Sequence, residues 1–397
     1  MNLFIIPSWY PNKVQPLAGI FIREQAEAIA ENCSDIQVIV STWGHDEAEL
    51  PIRMPRRALG ALWNFCIKNK YSITNRNGVC EIFHPVLKYT EKIPGGGIDK
   101  LLFVNRKNFL LACSKFGKVD LIHAHVSYPG GYIASKLSQE FKIPYVLTEH
   151  MGPFPFPSLM HGTKPRQEII DAFCFSSCNI AVSPFLARSI ASFDLPMPVV
   201  VPNMVHEELF HVAASNSSKF IFFTLCSLTE SKGIDHLLRS VAHWRPDSAS
   251  IEFRIGGDGP MRASYERLAR ELGIEKNIRW LGATNREDAS LNFRECNAFV
   301  LPSRCETFGI VYAEAIASGK PVIATKCGGP EFIVNDSNGY LVDVGDISGL
   351  AVAMNKMVNH YDEFNPHVIR NDFENRFSRS AVVDQLYSIY KKVIGEG

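Results

Sequence analysis

The chain has 397 residues, of which 46% are hydrophobic and 21% are charged; this balance is typical of a folded globular protein and excludes an intrinsically disordered one. Its 41 basic side chains equal its 41 acidic ones, so no overall positive field predicts binding to nucleic acid. The length is sufficient for two domains, and because no apolar stretch reaches the roughly 18 residues of a membrane-spanning helix, we expect a cytoplasmic protein.

The first half of the chain alternates short apolar runs, which predict buried strands, with segments of helical periodicity. Strands are predicted over 3–6, 120–125, 144–149, 179–183 and 199–203, and helices over 20–30 and 132–141. The loop over 8–19 is longer than a tight turn needs, so we expect it to line a site. His125 ends one strand and His150 follows another, where ligands of open α/β sheets bind. Both are candidate site residues, although a lone histidine more often belongs to a core or a loop.

Residues 51–72 combine basic side chains with large apolar ones in the pattern of an amphipathic helix. The basic residues are Arg53, Arg56, Arg57, Lys68 and Lys70, and the large apolar ones are Leu59, Leu62, Trp63, Phe65 and Ile67. Such a segment can rest on an anionic membrane surface, here the inner face of the cell membrane. The alternative is a surface helix whose apolar side faces the core and whose basic rim is solvated. The sequence leaves both interpretations open.

The second half repeats the alternation after a polar stretch over 212–218 that predicts an exposed linker. Strands are predicted over 220–225, 251–255, 278–281 and 298–301, and helices over 234–242 and 261–272. A glycine-rich turn, Gly-Gly-Asp-Gly-Pro, follows the second of these strands. Gly257 and Gly259 fit the first two glycines of a dinucleotide-binding motif, but Arg262 stands at the third position, which disfavours a nicotinamide cofactor.

Residues 301–331, LPSRCETFGIVYAEAIASGKPVIATKCGGPE, predict a strand, a polar loop, an alanine-rich helix and a second strand. Glu306 and Glu314 lie on either side of the backbone amides at the start of the helix. Such amides suit a phosphate, and carboxylates suit sugar hydroxyls. This spacing would separate the carboxylates by up to about 12 Å in a helix, too far for the pair about 5 Å apart in a retaining glycosidase. We therefore expect the two acids to hold different parts of one long ligand.

The sequence of this stretch resembles the signature of a known enzyme family. Pro-Ser-Arg before Glu306, Phe-Gly after it, Glu-Ala-Ile-Ala-Ser-Gly-Lys-Pro-Val from Glu314 and the closing Gly-Gly-Pro-Glu are similar to the group 1, glycogen-synthase-like family of retaining nucleotide-sugar glycosyltransferases. The opening PSWYPN and PLAGIF resemble members that build bacterial polysaccharide and lipopolysaccharide. The resemblance implies an α/β fold of the GT-B type, with two Rossmann-like domains that face a central cleft.

The same resemblance implies a reaction. A hexose-type sugar would pass from a nucleotide diphosphate-sugar of UDP or GDP type to a glycan or lipid-linked glycan acceptor, with retention of configuration and without a metal. The sequence has no Asp-x-Asp pair, and ten cysteines without a Cys-x-x-Cys pair predict free thiols, so neither a metal nor another cofactor is expected. A nucleotide-sugar epimerase and a non-catalytic sugar-nucleotide-binding protein remain as alternatives.

The resemblance also implies roles for individual residues. Lys232 would bind the donor diphosphate, Glu306 the sugar hydroxyls and Glu314 the ribose, while His125 would face the donor sugar. Ser227 stands where the family has a second phosphate-binding cation, and Arg304 is a candidate to supply that charge. The catalytic set is His125, Glu306 and Lys232; the predicted donor-binding residues are Gly19, Ser227, Lys232, Gly282, Ala283, Glu306, Phe308, Gly309, Ile310 and Glu314, with His150 and Arg304 as further candidates.

The predicted domains are an acceptor-binding domain over 1–205 and a nucleotide-sugar-binding domain over 218–377. Apolar residues recur at helical spacing over 377–394, which predicts a long amphipathic helix at the end of the chain. By resemblance to the family, the segment 378–397 is expected to pack back onto the first domain.

Overall fold

The structure is a computed structural model that describes residues 1–12, 15–43, 59–60, 63, 71–86, 97–214 and 217–395. The basic segment predicted over 51–72 therefore lies mostly outside the described residues. The chain divides into two compact units: unit 1 comprises Met1–Val182, Ala187–Val201 and Val382–Gly397, and unit 2 comprises Ser183–Leu186 and Pro202–Ala381. In the described part of the chain, every helix is too short or too polar to cross a membrane.

The strands of unit 1 form a large sheet and a small hairpin. They are β1 (Asn2–Pro7), β2 (Gln37–Trp43), β3 (Ser72–Arg76), β4 (Val79–His84), β5 (Leu121–His125), β6 (Tyr145–Glu149), β7 (Met160–His161), β8 (Lys164–Pro165), β9 (Cys178–Ala181) and β10 (Val199–Val200). The large sheet has the order β10-β9-β6-β5-β1-β2-β4-β3, and all its pairs are parallel except β3 with β4. Strands of a parallel sheet are buried on both faces, which explains unbroken apolar runs such as Leu3–Ile6.

Helices connect these strands. They are α1 (Ile20–Asn32), α2 (Ile98–Phe116), α3 (Tyr132–Phe141), α4 (Gln167–Cys174) and α5 (Pro184–Ala191). In the sheet, β1 has β2 on one side and β5 on the other, so the order of the strands reverses between β1 and β5. A reversal of this kind leaves a crevice at the carboxyl ends of the strands, where ligands of open α/β sheets bind.

Unit 2 has one parallel sheet. Its strands are β11 (Phe220–Leu225), β12 (Ile251–Gly256), β13 (Ile278–Gly282), β14 (Ala298–Leu301), β15 (Val322–Thr325) and β16 (Gly339–Val342), in the order β13-β12-β11-β14-β15-β16. Its helices are α6 (Ile234–Trp244), α7 (Arg262–Glu271), α8 (Arg286–Glu295), α9 (Ile310–Ala317), α10 (Pro330–Ile333), α11 (Ile347–Asn359) and α12 (Pro366–Phe377). The reversal of strand order lies between β11 and β14.

Most predicted strands and helices are confirmed to within two or three residues, and the helix over 132–141 coincides with α3. One prediction was wrong in extent. The strand predicted over 199–203 has only two residues, Val199–Val200. The helix predicted over 377–394 is confirmed as α13 (Arg379–Ile394). It begins after Ser378, which is extended at φ −65°, ψ 160° and whose hydroxyl accepts from the Ala381 amide at 3.3 Å. A serine in this role starts a new helix.

Candidate active site

The strand order of unit 2 brings two predicted site residues together. Lys232 follows β11 and Glu306 follows β14, the two strands between which the sheet order reverses. The Lys232 Nζ donates to the Glu306 Oε1 at 2.6 Å, and the Ser303 hydroxyl donates to the same oxygen at 2.9 Å. The side chains of Lys232 and Glu306 are only 24% and 11% exposed. A partly buried ion pair therefore lies at the crevice of this sheet.

The ion pair keeps Lys232 protonated. Burial acts to lower the pKa of Lys232, but the charge and hydrogen bond of Glu306 outweigh it and raise the pKa above its usual 10.5. A fixed positive charge that is partly withdrawn from water attracts an anion more strongly than an exposed lysine does. Lys232 can thus serve as a permanent cation at neutral pH.

The two loops that carry this pair touch at Gly233. The φ of Gly233 is +65°, and a Cβ there would lie 1.9 Å from the carbonyl oxygen of Pro302. Glycine is the residue that adopts this backbone conformation without strain and leaves room for the neighbouring carbonyl. The contact places the loop after β11 directly against the loop after β14.

The start of α9 is the place where the sequence predicted an anion site. Gly309 precedes the helix with φ +84°, and the first turn of the helix has no acidic residue. Phe308 is buried and Ile310 is half-buried, so the backbone at the helix start is held by packing on both sides. Free amides and the helix dipole favour a negative group at such an end.

Glu314 lies on the same helix and is 9% exposed. Its Oε1 is 3.8 Å from the Nη2 of Arg286, the first residue of α8. The contact places a positive side chain beside this carboxylate, whose oxygens can accept hydrogen bonds from hydroxyls. The sequence did not single out Arg286, because its contact with Glu314 depends on how α8 packs.

The remaining predicted donor residues of unit 2 lie on neighbouring loops. Gly282 ends β13 with φ +77°, and its carbonyl accepts from the Gly257 amide at 2.7 Å. Ala283 and Ser227 are exposed, directly after β13 and near the end of β11 respectively. The loops after β11, β12, β13 and β14 all leave the same edge of the parallel sheet, so these residues share that edge with the ion pair.

Arg304 already has partners within unit 2. Its Nη2 donates to the Oδ2 of Asp235 at 2.7 Å and lies 3.1 Å from the Nε2 of His236, and its Nη1 donates to the carbonyl oxygen of Glu230. Its side chain is 35% exposed. The guanidinium is thus engaged with the loop after β11 and the start of α6.

Unit 1 places its predicted histidines in one buried cluster. His125, the last residue of β5, is 1% exposed, and its Nδ1 lies 3.1 Å from the Nε2 of His150. The Nε2 of His125 is buried, and within the described part of the chain it has no hydrogen-bond partner. Burial, together with His123 and His150, holds the pKa of His125 well below its usual 6.5. His125 is therefore neutral and has one ring nitrogen left for a further hydrogen bond.

The histidine cluster rests on a second layer of hydrogen bonds. The Nε2 of His123 lies 2.7 Å from the Thr148 hydroxyl, and its Nδ1 lies 2.7 Å from the hydroxyl of Tyr390 on α13. The rings of His123 and His125 are 4.2 Å apart. Burial, with a smaller effect of His150, lowers the pKa of His123 to about 3. His123 is thus a neutral structural support for His125.

Gly19 precedes α1 at the end of the loop after β1. Its φ is +64°, and a Cβ there would lie 2.3 Å from the carbonyl oxygen of Trp9. A glycine is therefore required at this position, because the loop passes close to its own backbone at Trp9. The described part of the loop, which omits residues 13–14, follows the carboxyl end of β1, beside the end of β5 that carries His125.

Two family models match this chain over nearly its whole length. Residues 205–374 match the model for glycosyl transferases group 1, and residues 18–209 match the model for glycosyltransferase family 4. This chain belongs to the group 1 glycosyltransferases. The resemblance identified in the sequence is thereby confirmed.

The glycosyltransferase is similar to known proteins in sequence and in fold. An uncharacterized glycosyltransferase of Methanocaldococcus jannaschii is 26% identical over 297 residues, which cover 72% of this chain and 81% of that one. Sucrose-phosphate synthase from Thermosynechococcus elongatus has a TM-score of 0.74 at 20% identity over all of both chains. Anabaena HepE in complex with UDP has a TM-score of 0.71 at 18% identity, covering 99% of this chain and 100% of HepE. The likeness confirms the predicted α/β GT-B fold.

Several residues of the glycosyltransferase site were missed by sequence reasoning. Ser303 and Asp235 hold Glu306 and Arg304, and Glu149 accepts the backbone amides of Ser127, His150 and Met151 at 2.8–2.9 Å. Glu149 is fully buried, and burial raises the pKa of its carboxyl group although these hydrogen bonds oppose the shift. An acid at the end of an apolar run was the one local signal for Glu149, since a charge there needs a fixed set of donors.

Proposed function

We propose that this glycosyltransferase moves a hexose-type sugar, with retention of configuration, from a nucleotide diphosphate-sugar of UDP or GDP type to a glycan or lipid-linked glycan in cell-surface polysaccharide biosynthesis. The observation that carries the proposal is the pairing of Lys232 with Glu306 at the reversal of strand order in unit 2. A cation and a carboxylate side by side suit a ligand in which a diphosphate is joined to a sugar.

Unit 2 would hold the donor. Lys232 and the amides after Gly309 bind the diphosphate and stabilise the negative charge that develops as it leaves, without help from a metal. Glu306 accepts hydrogen bonds from the sugar hydroxyls, and Glu314, held beside Arg286, accepts them from the ribose. The backbone at Gly282 and Ala283 contacts the nucleotide base. Uridine is favoured because the structural relative HepE binds UDP, while the choice of base is left to the experiment.

Unit 1 would bind the acceptor and position the donor sugar. His125 is neutral and has its Nε2 available, so it forms a hydrogen bond to a sugar hydroxyl, and His150 orients its ring. The glycine at position 19 leaves space for the phosphates beside the loop. The segment 51–72, most of which lies outside the described residues, would contact the inner face of the membrane; Leu59 and Trp63 within it are 67% and 70% exposed.

A binding experiment followed by a transfer assay tests the proposal. Thermal unfolding of the full chain is measured with a panel of UDP- and GDP-sugars, and a true donor raises the midpoint because it binds only the folded state. The active donor is then offered with glycan acceptors, and the anomeric configuration of the product is read by NMR. We expect retention of configuration and no loss of turnover in excess chelator.

Variants connect the reaction with the site. We expect Lys232→Ala to lower kcat/KM for the donor about 100-fold or more, whereas Lys219→Ala leaves it unchanged. Lys219 precedes β11 and thus lies at the amino ends of the strands, whereas Lys232 follows their carboxyl ends. The Nζ of Lys219 donates to the Ser248 carbonyl oxygen at 2.8 Å. A shift with a sugar nucleotide but no transfer to any acceptor would support the non-catalytic alternative, and no shift with any of them would contradict the proposal. Conversion of the donor to an epimer or to free sugar without an acceptor would support the epimerase.

A further inference from the structure

Arg304 joins the loop that carries Lys232 to the loop that carries Glu306. Its backbone amide donates to the carbonyl oxygen of Ser231 at 2.7 Å, and its Nη1 donates to the carbonyl oxygen of Glu230. Its Nη2 donates to the Asp235 Oδ2 at 2.7 Å. Arg304 thus contacts the chain on both sides of Lys232, at 230–231 and at 235.

The carboxylate of Asp235 is the charged anchor of this arrangement. Asp235 lies in the first turn of α6, and its side chain is 26% exposed. An exposed ion pair of this kind contributes little by itself. Here the guanidinium also contacts the Glu230 carbonyl and the ring of His236, and its planar fork allows all three contacts at once.

We propose that Asp235 and Arg304 are positioning residues that hold Lys232 and Glu306 in place for the donor. The proposal rests on the proposed function, which assigns the diphosphate to Lys232 and the sugar to Glu306. The two loops meet at Gly233 and Pro302 and at the 2.6 Å pair itself, so a shift of one loop displaces the pair. Arg304 then acts on Lys232 and Glu306 through the two loops. It does not bind the diphosphate in place of the second cation that the family has where this chain has Ser227.

Two variants separate positioning from direct contact with the donor. Arg304→Lys keeps the positive charge but loses the fork that reaches both Glu230 and Asp235. Asp235→Asn keeps Arg304 and removes the carboxylate that holds it. If Arg304 binds the diphosphate directly, Arg304→Lys loses affinity for the nucleotide while Asp235→Asn retains it. If Arg304 positions Lys232, both lose it to a similar extent.

The experiment measures calorimetric binding of UDP and of GDP to the full chain, together with kcat and KM for the donor. We expect about tenfold weaker nucleotide binding and a similar fall in kcat/KM for Asp235→Asn and Arg304→Lys, since small misplacement of binding groups has effects of this size or larger. Glu295→Gln is the matched control, because Glu295 accepts an arginine Nη, that of Arg254, at the same 2.7 Å. It should bind as the wild type does.

A double-mutant cycle with Lys232→Ala tests whether Asp235 affects nucleotide binding through Lys232. If Asp235 acts through Lys232, Asp235→Asn causes little further loss of nucleotide binding in the Lys232→Ala chain, whereas a general structural effect adds in full. Wild-type binding by both Asp235→Asn and Arg304→Lys, with binding lost in Lys232→Ala, overturns the positioning role and leaves the proposed function standing. Wild-type binding by Lys232→Ala overturns both, because the positioned residue then has no role.

Discussion

The Nζ of Lys232 lies 2.6 Å from the Oε1 of Glu306, although 74 residues separate the two in the chain. In this arrangement the carboxylate takes one of the three N–H donors of the lysine, and in the proposed function a phosphate oxygen of the donor takes another. Donor binding then requires Lys232 to share its charge between Glu306 and the diphosphate. This competition leads to a prediction about Glu306.

We expect Glu306→Gln to separate nucleotide binding from sugar transfer. Glutamine keeps the size of the side chain but removes the negative charge that pairs with Lys232. Affinity for UDP or GDP alone should therefore stay the same or rise, while kcat falls by about 100-fold or more because the sugar hydroxyls lose a charged acceptor. Calorimetry with the free nucleotide and turnover with the full donor measure the two effects. Parallel loss of both would contradict the assignment; Glu271→Gln, an exposed acid on α7, is the control.

We expect Ser227→Arg to improve donor binding. Ser227 is exposed in the loop after β11, five residues before Lys232, and an arginine there adds a second cation with two parallel donors for phosphate. The KM for the donor should fall about 3- to 10-fold, with less change in kcat. Steady-state kinetics measures this change, and Ser227→Met, which has no charge, should show no such gain. An unchanged KM in the arginine variant would place the diphosphate elsewhere.

Gly233→Ala should cost more stability than Gly273→Ala. The two glycines have nearly the same φ, +65° and +68°, so alanine pays about 1 kcal/mol of backbone strain at either position. At Gly273 a Cβ meets nothing within 4 Å, whereas at Gly233 it overlaps the Pro302 carbonyl oxygen. We expect an additional loss of about 2 kcal/mol in the free energy of unfolding, measured in urea. Equal losses would show that the contact between the two loops is not tight.

Tyr390→Phe is expected to destabilise unit 1. The change removes the hydroxyl that lies 2.7 Å from the Nδ1 of His123 and leaves that nitrogen buried without this partner. The loss should be about 1–3 kcal/mol. The matched change on the same helix, Tyr387→Phe, removes an exposed hydrogen bond to Asp35 at 3.0 Å and should cost less than about 1 kcal/mol. Urea unfolding of the two variants measures the difference. Equal losses in the free energy of unfolding would show that the buried hydrogen bond contributes no more than the exposed one.

Acid is expected to destabilise the protein through His123. Because the folded pKa of about 3 lies below the usual 6.5, the unfolded chain binds the proton between these values and the folded chain does not. Stability from His123 is thus present above pH 6.5 and declines as the pH falls toward 3, by about 1.4 kcal/mol per pH unit. Glu149 acts in the opposite direction, since burial raises the pKa of its carboxyl group.

The contribution of His123 is isolated by comparing variants. His123→Gln should lower the slope of unfolding free energy against pH between about pH 4.5 and 6, whatever its absolute stability. His161→Gln, a change of an exposed histidine on β7, is the control for the removal of a histidine. Identical slopes for the wild type and His123→Gln would show that His123 is protonated in the folded chain.

The local pattern of the sequence was sufficient for many elements of the fold, although β2, β3, β4 and α2 were not predicted. Largely apolar runs predicted β1, β5, β11 and β14, because strands of a parallel sheet are buried on both faces. The strand predicted over 199–203 was too long, since β10 ends at Val200 although the apolar run continues to Val201. An apolar run indicates which residues are buried. The length of a strand depends in addition on its pairing with a neighbouring strand, which the run does not show.

The sequence by itself determined the family, the fold type and the residues of the motif at 301–331, because each depends on residue types at short spacing. Only the tertiary structure decided which of these residues meet. The strand order places Lys232 beside Glu306, packing engages Arg304 with Asp235, and α13 brings Tyr390 to His123 across 267 residues of chain. Contacts of this kind arise from the order of strands and the packing of helices, which short-range spacing does not specify.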